Sequence, residues 1–343
     1  MSVDIAVKKY FGDFTLDIQF QSQDNRIAVL GESGSGKSML LKCIAGVMTP
    51  DEGHIIINDV TFFDSGKNIH LRPRQRRVGY LFQNYALFPN MTVEKNIGIG
   101  LREKKETKKK IVASLIEEYH LEGLEKRRPA ELSGGQQQRT ALARMMACMP
   151  EIILMDEPYS AMDESLKREM QREMSVFLKR YKGNLIFVSH SREEVYRFGR
   201  EIAVIHDGKV LRMDGRDAIF EQPGSLQAAR LVGFDNIEKG RKTDDFEVLV
   251  PAWGMRLKTE IPVPEQDVYV AIRSRDIRRG SAGEENAFLA ELTADWERPF
   301  YGQYLLKTAP EAKALCWVSE KNGETGEKAW ICLPKNKLLL LGK

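Results

Sequence analysis

The sequence predicts an α/β fold built on a parallel sheet, followed by a separate all-β region. Three observations carry that prediction. A glycine-rich loop, Gly31-Glu32-Ser33-Gly34-Ser35-Gly36-Lys37-Ser38, stands between a short apolar run and a helical segment. Two further apolar runs, Ile152-Ile153-Leu154-Met155 and Leu185-Ile186-Phe187-Val188, have the length of buried strands and end in polar residues. Beyond residue 235 the chain changes to short segments rich in β-formers, separated by turn residues.

At 343 residues the chain is long enough for two domains, each with its own core. The formal net charge of +3 argues against a polyanion partner. Basic residues cluster in Arg102-Glu103-Lys104-Lys105-Glu106-Thr107-Lys108-Lys109-Lys110, but acids interrupt the run and apolar segments flank it. A solvated helix face or loop is expected there, and no nucleic-acid surface. Cys43, Cys148, Cys316 and Cys332 lack ligand-like spacing. Cys43 and Cys148 lie in apolar helical contexts and are expected to act as small core residues in a reducing compartment. The N-terminal segment lacks a secretory apolar core, and no run approaches the roughly 20 residues that cross a bilayer. The chain is therefore expected to be soluble, with any membrane role exerted through a partner.

The loop at 31–38 has the spacing G-x-x-x-x-G-K-[ST] of a phosphate-binding P-loop. Arg26-Ile27-Ala28-Val29-Leu30 reads as the strand before it, and Met39-Leu40-Leu41-Lys42-Cys43-Ile44-Ala45 as the helix after it. The glycines let the backbone curl so that several N–H groups converge on one anion, and the helix N-terminus adds its partial positive charge. Lys37 would reach the β- and γ-phosphates, and the Ser38 hydroxyl would sit on Mg²⁺. Upstream, Phe14, Leu16, Ile18 and Phe20 alternate with polar residues as in a half-exposed sheet. Tyr10 and Phe11 precede Gly12. An aromatic there either stacks on a purine ring or closes the core at a strand end. Downstream of the first helix, a turn at Thr49-Pro50-Asp51-Glu52-Gly53 leads into a strand, His54-Ile55-Ile56-Ile57, with His54 as an ordinary edge residue. The strand Val78-Gly79-Tyr80-Leu81-Phe82 then delivers Gln83 into the loop Asn84-Tyr85-Ala86-Leu87-Phe88-Pro89.

From about 90 to 150 the pattern is helical, with Ile111, Leu115 and Ile116, and then Leu142, Met145 and Met146, at helical spacing. Between these segments lies Leu132-Ser133-Gly134-Gly135-Gln136-Gln137-Gln138-Arg139. A Ser-Gly-Gly opening a helix is either a second anion-seeking helix terminus or a plain Ser cap with a glycine turn. In Glu151-Ile152-Ile153-Leu154-Met155-Asp156-Glu157-Pro158 two acids stand at the carboxyl end of a buried strand, where open α/β sheets place their ligands. Asp156 would help hold Mg²⁺, and Glu157 would orient or deprotonate a water. The strand at 185–188 ends in Ser189-His190, and His190 either donates to a γ-phosphate or caps the next helix.

Over roughly residues 3–235, and in this order, these pieces resemble an ATP-binding-cassette (ABC) transporter ATPase. The resemblance implies an ABC ATPase domain at 1–235, a P-loop NTPase with a RecA-like core and a helical subdomain at about 88–150. It identifies Gln83 with the Q-loop glutamine, Leu132 to Gln136 with the signature motif, and Ile152 to Asp156 with the Walker B strand. Glu157 falls at the catalytic base, Ser160-Ala161-Met162-Asp163 at the D-loop and His190 at the switch histidine. Two copies are then implied to pair head to tail around two ATP, the P-loop of one facing Ser133, Gly134, Gly135 and Gln136 of the other. Asp156, Ser38 and Gln83 would attend Mg²⁺, and Glu157, His190 and Gln83 would act on the γ-phosphate and its attacking water. Gly31 through Ser38, with Ser33, Gly34, Ser35 and Gly36 in its curl, would hold the phosphates, with Asp163 nearby and Phe11 aligning best with the adenine. Met39 departs from a common hydroxyl residue; its backbone N–H remains, so ATP binding with one contact fewer is expected.

The region 236–343 resembles an OB-like barrel of the TOBE/Mop type. The resemblance rests on Ala271-Ile272-Arg273-Ser274-Arg275-Asp276-Ile277, with Ser274 replacing a frequent proline. Together these imply the ATPase subunit of a bacterial importer, peripheral on the cytoplasmic face of the membrane. Two permease subunits would dock near Tyr85–Asn96, with an external substrate-binding protein acting indirectly. Molybdate or a related oxyanion is the favoured cargo, because Phe11-Gly12-Asp13-Phe14-Thr15-Leu16-Asp17-Ile18 and Arg76 to Gln83 resemble molybdate importers. Sulfate, iron, sugar and polyamine import, or a soluble non-transport ATPase or regulator, are the alternatives.

Overall fold

The computed structural model describes residues 2–160, 162–297, 302–319 and 328–342. Ala161 of the expected D-loop lies outside the described residues. The chain forms two compact units, Met1–Asp217 and Ala218–Lys343.

In the first unit, β1 (Val3–Phe11) and β2 (Phe14–Ser22) form a hairpin, followed by β3 (Arg26–Gly31) and α1 (Lys37–Ala45). Then come β4 (Glu52–Ile57), β5 (Val60–Asp64), β6 (Ile69–His70) and β7 (Val78–Leu81). A helical stretch follows: α2 (Val93–Gly98), α3 (Lys105–Glu118) and α4 (Gly134–Ala147). The chain returns through β8 (Ile152–Asp156), α5 (Glu164–Arg180), β9 (Asn184–Ser189), α6 (Arg192–Phe198), β10 (Glu201–His206) and β11 (Lys209–Gly215). All eleven strands join one sheet, ordered β6-β5-β4-β1-β2-β11-β10-β3-β9-β8-β7. The block β10-β3-β9-β8-β7 is parallel throughout, so the carboxyl ends of β3, β7, β8 and β9 emerge at one edge.

Residue pattern explains this division. Every residue of β8 and β9 is buried, as expected of central strands covered on both faces and read as unbroken apolar runs. β1 and β2 instead alternate: Val3, Ile5, Val7, Leu16, Ile18 and Phe20 face the core. The residues between them on the other face are polar, apart from half-buried Ala6 and the exposed Tyr10. The expected solvated run at 102–110 is largely exposed, and α3 begins inside it. The expectation for Cys148 fails. Cys43 is buried, but Cys148 is exposed, because α4 ends at that residue and the turn carries it away from the core.

One buried charge organises the rear of α1. Arg76, 1% exposed, donates to the carbonyls of Cys43 and Ile44 at 2.8 Å and of Leu71 at 2.9 Å. Cys43 and Ile44 are in the last turn of α1, where carbonyls lack intrahelical partners and the macrodipole is negative. The guanidinium also lies over Phe62, 5.5 Å from its ring centroid. Gly46 accommodates it: an added Cβ would meet Arg76 Nε at 2.7 Å, and the φ of +77° favours glycine. Burial lowers the Arg76 pKa to about 10.

In the second unit, two short helices, α7 (Arg216–Glu221, which begins just before the unit) and α8 (Leu226–Leu231), precede ten strands. These are β12 (Asn236–Asp244), β13 (Glu247–Val250), β14 (Met255–Lys258), β15 (Asp267–Ile272) and β16 (Arg278–Arg279), then β17 (Ala287–Glu297), β18 (Gly302–Lys307), β19 (Leu315–Ser319), β20 (Lys328–Cys332) and β21 (Leu339–Leu341). They form two five-stranded antiparallel sheets, β14-β13-β12-β15-β21 and β16-β20-β17-β18-β19. Both sheets contribute to one core, with Val248, Trp253, Val270 and Ile272 from the first side and Leu292, Tyr304, Trp317 and Ile331 from the other. This is the OB-like, all-β architecture expected of the region.

Arg76→Met removes a charged donor from three carbonyls while keeping most of the side-chain volume. It should lower the unfolding free energy by about 2–4 kcal/mol, seen as a lower urea midpoint with an unchanged slope.

Candidate functional site

The P-loop joins β3 to α1, and its geometry explains its glycines. An added Cβ at Gly31 would meet Ile205 O at 2.5 Å, so the loop can pass β10 only without a side chain. Gly34 and Gly36 have φ of +83° and +97°, values that glycine adopts without strain. Gly36 also precedes α1 with no side-chain cap. The N–H groups of Lys37, Ser38 and Met39 thus have no helical partner, while Leu40 N already bonds Gly36 O at 3.0 Å.

Lys37 is buried, and its Nζ donates to Gly31 O at 3.0 Å and Glu32 O at 2.6 Å. Glu157 Oε1 lies 3.8 Å away. Burial pulls the lysine pKa down, and Glu157, Asp156 and Glu32 partly offset it. Ser35 is buried too, and its Oγ has no hydrogen-bond partner.

β8 supplies the two acids, and they separate cleanly. Asp156 Oδ1 accepts from Ser38 Oγ at 2.7 Å, and Oδ2 accepts from the Tyr80 phenol at 3.0 Å. Glu157 leaves the strand with a φ of +44°, its N–H held by Val188 O at 3.0 Å. That turn swings its carboxylate toward Lys37 on one oxygen and His190 Nδ1 on the other, the latter at 3.1 Å. His190 follows β9 and does not cap α6. Ser191 does so, with Ser191 N bonded to Ser189 Oγ at 3.0 Å. Ser189 Oγ in turn donates to buried Glu194 at 2.6 Å.

Gln83 follows β7, and its Nε2 donates to Ser160 Oγ at 3.0 Å; Ser160 Oγ donates to the Glu157 carbonyl at 3.0 Å. The glutamine is thus bonded to the segment after β8, with no hydrogen bond to Asp156 or Ser38. Asp163 caps α5, accepting from Ser165 N at 3.0 Å and Leu166 N at 2.9 Å.

Ser133 to Gln136 open α4 with a reciprocal capping box. Ser133 Oγ accepts from Gln136 N at 3.3 Å, and Ser133 N donates to Gln136 Oε1 at 3.0 Å. Gly134 and Gly135 face α5: an added Cβ at Gly135 would meet Leu166 Cδ1 at 3.1 Å. Among the described residues no hydrogen bond or ion pair joins this segment to the P-loop of its own chain.

Strand register separates the two aromatic candidates. Phe11 pairs directly with Phe14, and Tyr10 with Thr15. Phe14 and Leu16 are the side chains an added Cβ at Gly36 would meet, at 3.3 and 2.6 Å. Phe11 therefore shares the face that looks at the P-loop, whereas Tyr10 lies on the other face, its hydroxyl bonded to Glu52 at 3.1 Å.

Three contributors escape a reading by motif. Tyr80 acts as a neighbour of a motif residue, and Arg76 anchors α1 from behind. Arg144, on α4, donates to Tyr85 O at 2.8 Å and Ala86 O at 2.7 Å. Both residues have left-handed φ, +58° and +44°.

The ABC transporter family model matches residues 15–160. The spermidine/putrescine import ATP-binding protein PotA of Oleidesulfovibrio alaskensis is 38% identical over 246 residues, 69% of this chain and 64% of that protein. The sulfate/thiosulfate import ATP-binding protein CysA of Synechocystis is 40% identical over 240 residues, 67% and 65% of the two chains. The molybdate/tungstate import ATP-binding protein WtpC of Thermococcus kodakarensis is 34% identical over 302 residues, 85% and 88%. The chain belongs to the ABC transporter family of import ATP-binding proteins. Its match spans just under two thirds of the length of the PotA and CysA relatives. The solved dimeric ATP-binding cassette MJ0796, bound to ADP and Pi, superposes with a TM-score of 0.53 at 26% identity, covering 63% of this chain and 99% of that one.

ATP and Mg²⁺ are the cofactors of such a cassette, and the residues present fit them. The uncapped start of α1, the Lys37 ammonium and the orphaned Ser35 hydroxyl are donors suited to phosphate oxygens. Ser38 and Asp156 are oxygen donors suited to magnesium. Among the described residues no helix is long and apolar enough to cross a membrane.

Proposed function

We propose that this chain is the ATP-hydrolysing subunit of a bacterial importer for molybdate or a related oxyanion. The observation that carries the hydrolytic part is the position of Glu157, whose two carboxylate oxygens face Lys37 and His190. A carboxylate between a phosphate-reaching ammonium and an imidazole is placed to take a proton from water at the γ-phosphate. ATP supplies the phosphoanhydride bond. Lys37 and the N–H groups of Lys37, Ser38 and Met39 would hold its phosphates, Ser38 and Asp156 would hold Mg²⁺, and Gln83 would join them on leaving Ser160. His190 meets Glu157 through Nδ1 and would hold the terminal phosphate. Phe11, on the P-loop side of the β1–β2 hairpin, carries the adenine.

Among the described residues the segment Ser133 to Gln136 has no hydrogen bond or ion pair to its own P-loop, which supports a head-to-tail homodimer in which it closes the P-loop of a second copy. Two permease subunits would dock near Tyr85–Asn96 at the cytoplasmic face of the membrane, fed by an external substrate-binding protein. The oxyanion reading is supported by the resemblance of the Phe11–Ile18 and Arg76–Gln83 segments to those of molybdate importers.

Glu157→Gln should slow ATP hydrolysis by about 10²–10⁴-fold while leaving an ATP-bound dimer visible by size exclusion; hydrolysis at the wild-type rate would remove Glu157 as the base. Phe11→Ala should weaken ATP binding about tenfold, the scale of one aromatic–base stack, and Tyr10→Ala should leave the affinity unchanged in a fluorescence titration. For cargo, cells lacking the chain should lose high-affinity molybdate uptake and keep that of sulfate, polyamines and iron. Loss of one of the latter instead, with molybdate uptake intact, would reassign the transporter.

A further inference from the structure

We propose that Tyr80 is a positioning residue for the magnesium site, holding the Asp156 carboxylate in the one orientation that leaves Oδ1 free for the metal. This inference rests on the assignment of Asp156 to magnesium made above. A strand-end aspartate has a soft second torsion, broad and roughly two-fold, so its carboxylate does not aim itself. Here it is bonded on both sides: Ser38 Oγ on Oδ1 at 2.7 Å and the Tyr80 hydroxyl on Oδ2 at 3.0 Å. The two donors differ in what happens on metal binding. Ser38 is itself a candidate ligand, and a cation between it and Oδ1 replaces their mutual hydrogen bond. The phenol is then the described protein donor that remains on Asp156.

Tyr80 is well placed for this task. Its strand, β7, pairs in parallel with β8, with Tyr80 opposite Leu154 and Leu81 opposite Met155, so the phenol reaches forward along the sheet to the next carboxylate. Its ring is fixed by stacking on Phe82, with centroids 4.1 Å apart and planes inclined by 29°. Phe82 immediately precedes Gln83. One aromatic pair therefore buttresses both the carboxylate of β8 and the base of the Gln83 loop. A phenylalanine at position 80 would supply the stack without the hydroxyl, so the two contributions can be separated by one atom.

The test is a Mg²⁺ titration of the full chain saturated with a fluorescent, non-hydrolysable ATP analogue, for wild type, Tyr80→Phe and Asp156→Asn. Tyr80→Phe should weaken apparent Mg²⁺ affinity about tenfold, the lower end of what is lost when a group orienting a metal ligand is removed. Affinity for the analogue in EDTA should not change, which separates a metal effect from damage to the nucleotide pocket. A wild-type Mg²⁺ curve for Tyr80→Phe, with Asp156→Asn clearly shifted, would overturn the role of Tyr80 alone. An unshifted Asp156→Asn would overturn the assignment of Asp156, and the inference with it. A Tyr80→Phe loss equal with and without Mg²⁺ would also overturn it, because the hydroxyl would then act on packing and not on the carboxylate.

Discussion

The buried ammonium of Lys37 constrains the rest of the first unit. An ammonium taken out of water is destabilising by several kcal/mol unless its donors are all engaged, and at 4% exposure Lys37 has little water to rely on. Gly31 O and Glu32 O accept two of its bonds, which requires the loop to fold back on itself and to pass β10 at a distance no Cβ permits. Further attraction comes from Glu157, with Asp156 and Glu32 adding to it, and Glu157 follows a different strand. The lysine is therefore satisfied only if β3 and β8 end at the same edge with β9 between them, and the parallel order β3-β9-β8 meets that condition.

That edge also solves a geometrical conflict. Consecutive residues of a strand point to opposite faces, yet the Asp156 and Glu157 carboxylates both reach side chains of the P-loop, Ser38 and Lys37. The strand ends at Asp156, and Glu157 turns into the left-handed region, which a residue with a Cβ enters only at a price in strain. Its N–H bond to Val188 O ties the turn to β9, so the neighbour in the sheet holds the conformation that aims the Glu157 carboxylate. One acid is left aimed at Ser38 and Tyr80, the other at Lys37 and His190.

What was legible in the sequence is what depends on short spacing. The P-loop, the apolar β8 and β9, and the acids and histidine after them are each read within ten residues, because backbone curl, burial and strand termination are local. The alternation of β2 gave its face, but the choice between Tyr10 and Phe11 waited on the hairpin register, a relation between two strands. Arg76 and Arg144 look like surface cations in the sequence. Arg76 is buried and Arg144 half-buried through carbonyls more than thirty and nearly sixty residues away, which no local pattern displays. Cys148 misled for the converse reason: an apolar neighbourhood does not reveal the residue at which a helix stops.

The loop from Gln83 to Phe88 is the place where these distant ties meet. At one end Gln83 is bonded through Ser160 to the backbone of Glu157. In the middle, Tyr85 and Ala86 hold two successive left-handed conformations whose carbonyls are clamped by Arg144, and at the far end Asn96 bonds both the N–H and the carbonyl of Phe88. A strained loop of this kind persists only because its surroundings over-determine it. Arg144 and Ser133 lie about three turns apart on α4, roughly 16 Å along one rigid helix. Arg144 thus ties α4 to Tyr85 and Ala86, while the other anchor of the same loop sits on the segment that carries Glu157. The loop is therefore bonded at once to α4 and to the segment after β8, by contacts that neither the P-loop nor the Ser-Gly-Gly segment contains.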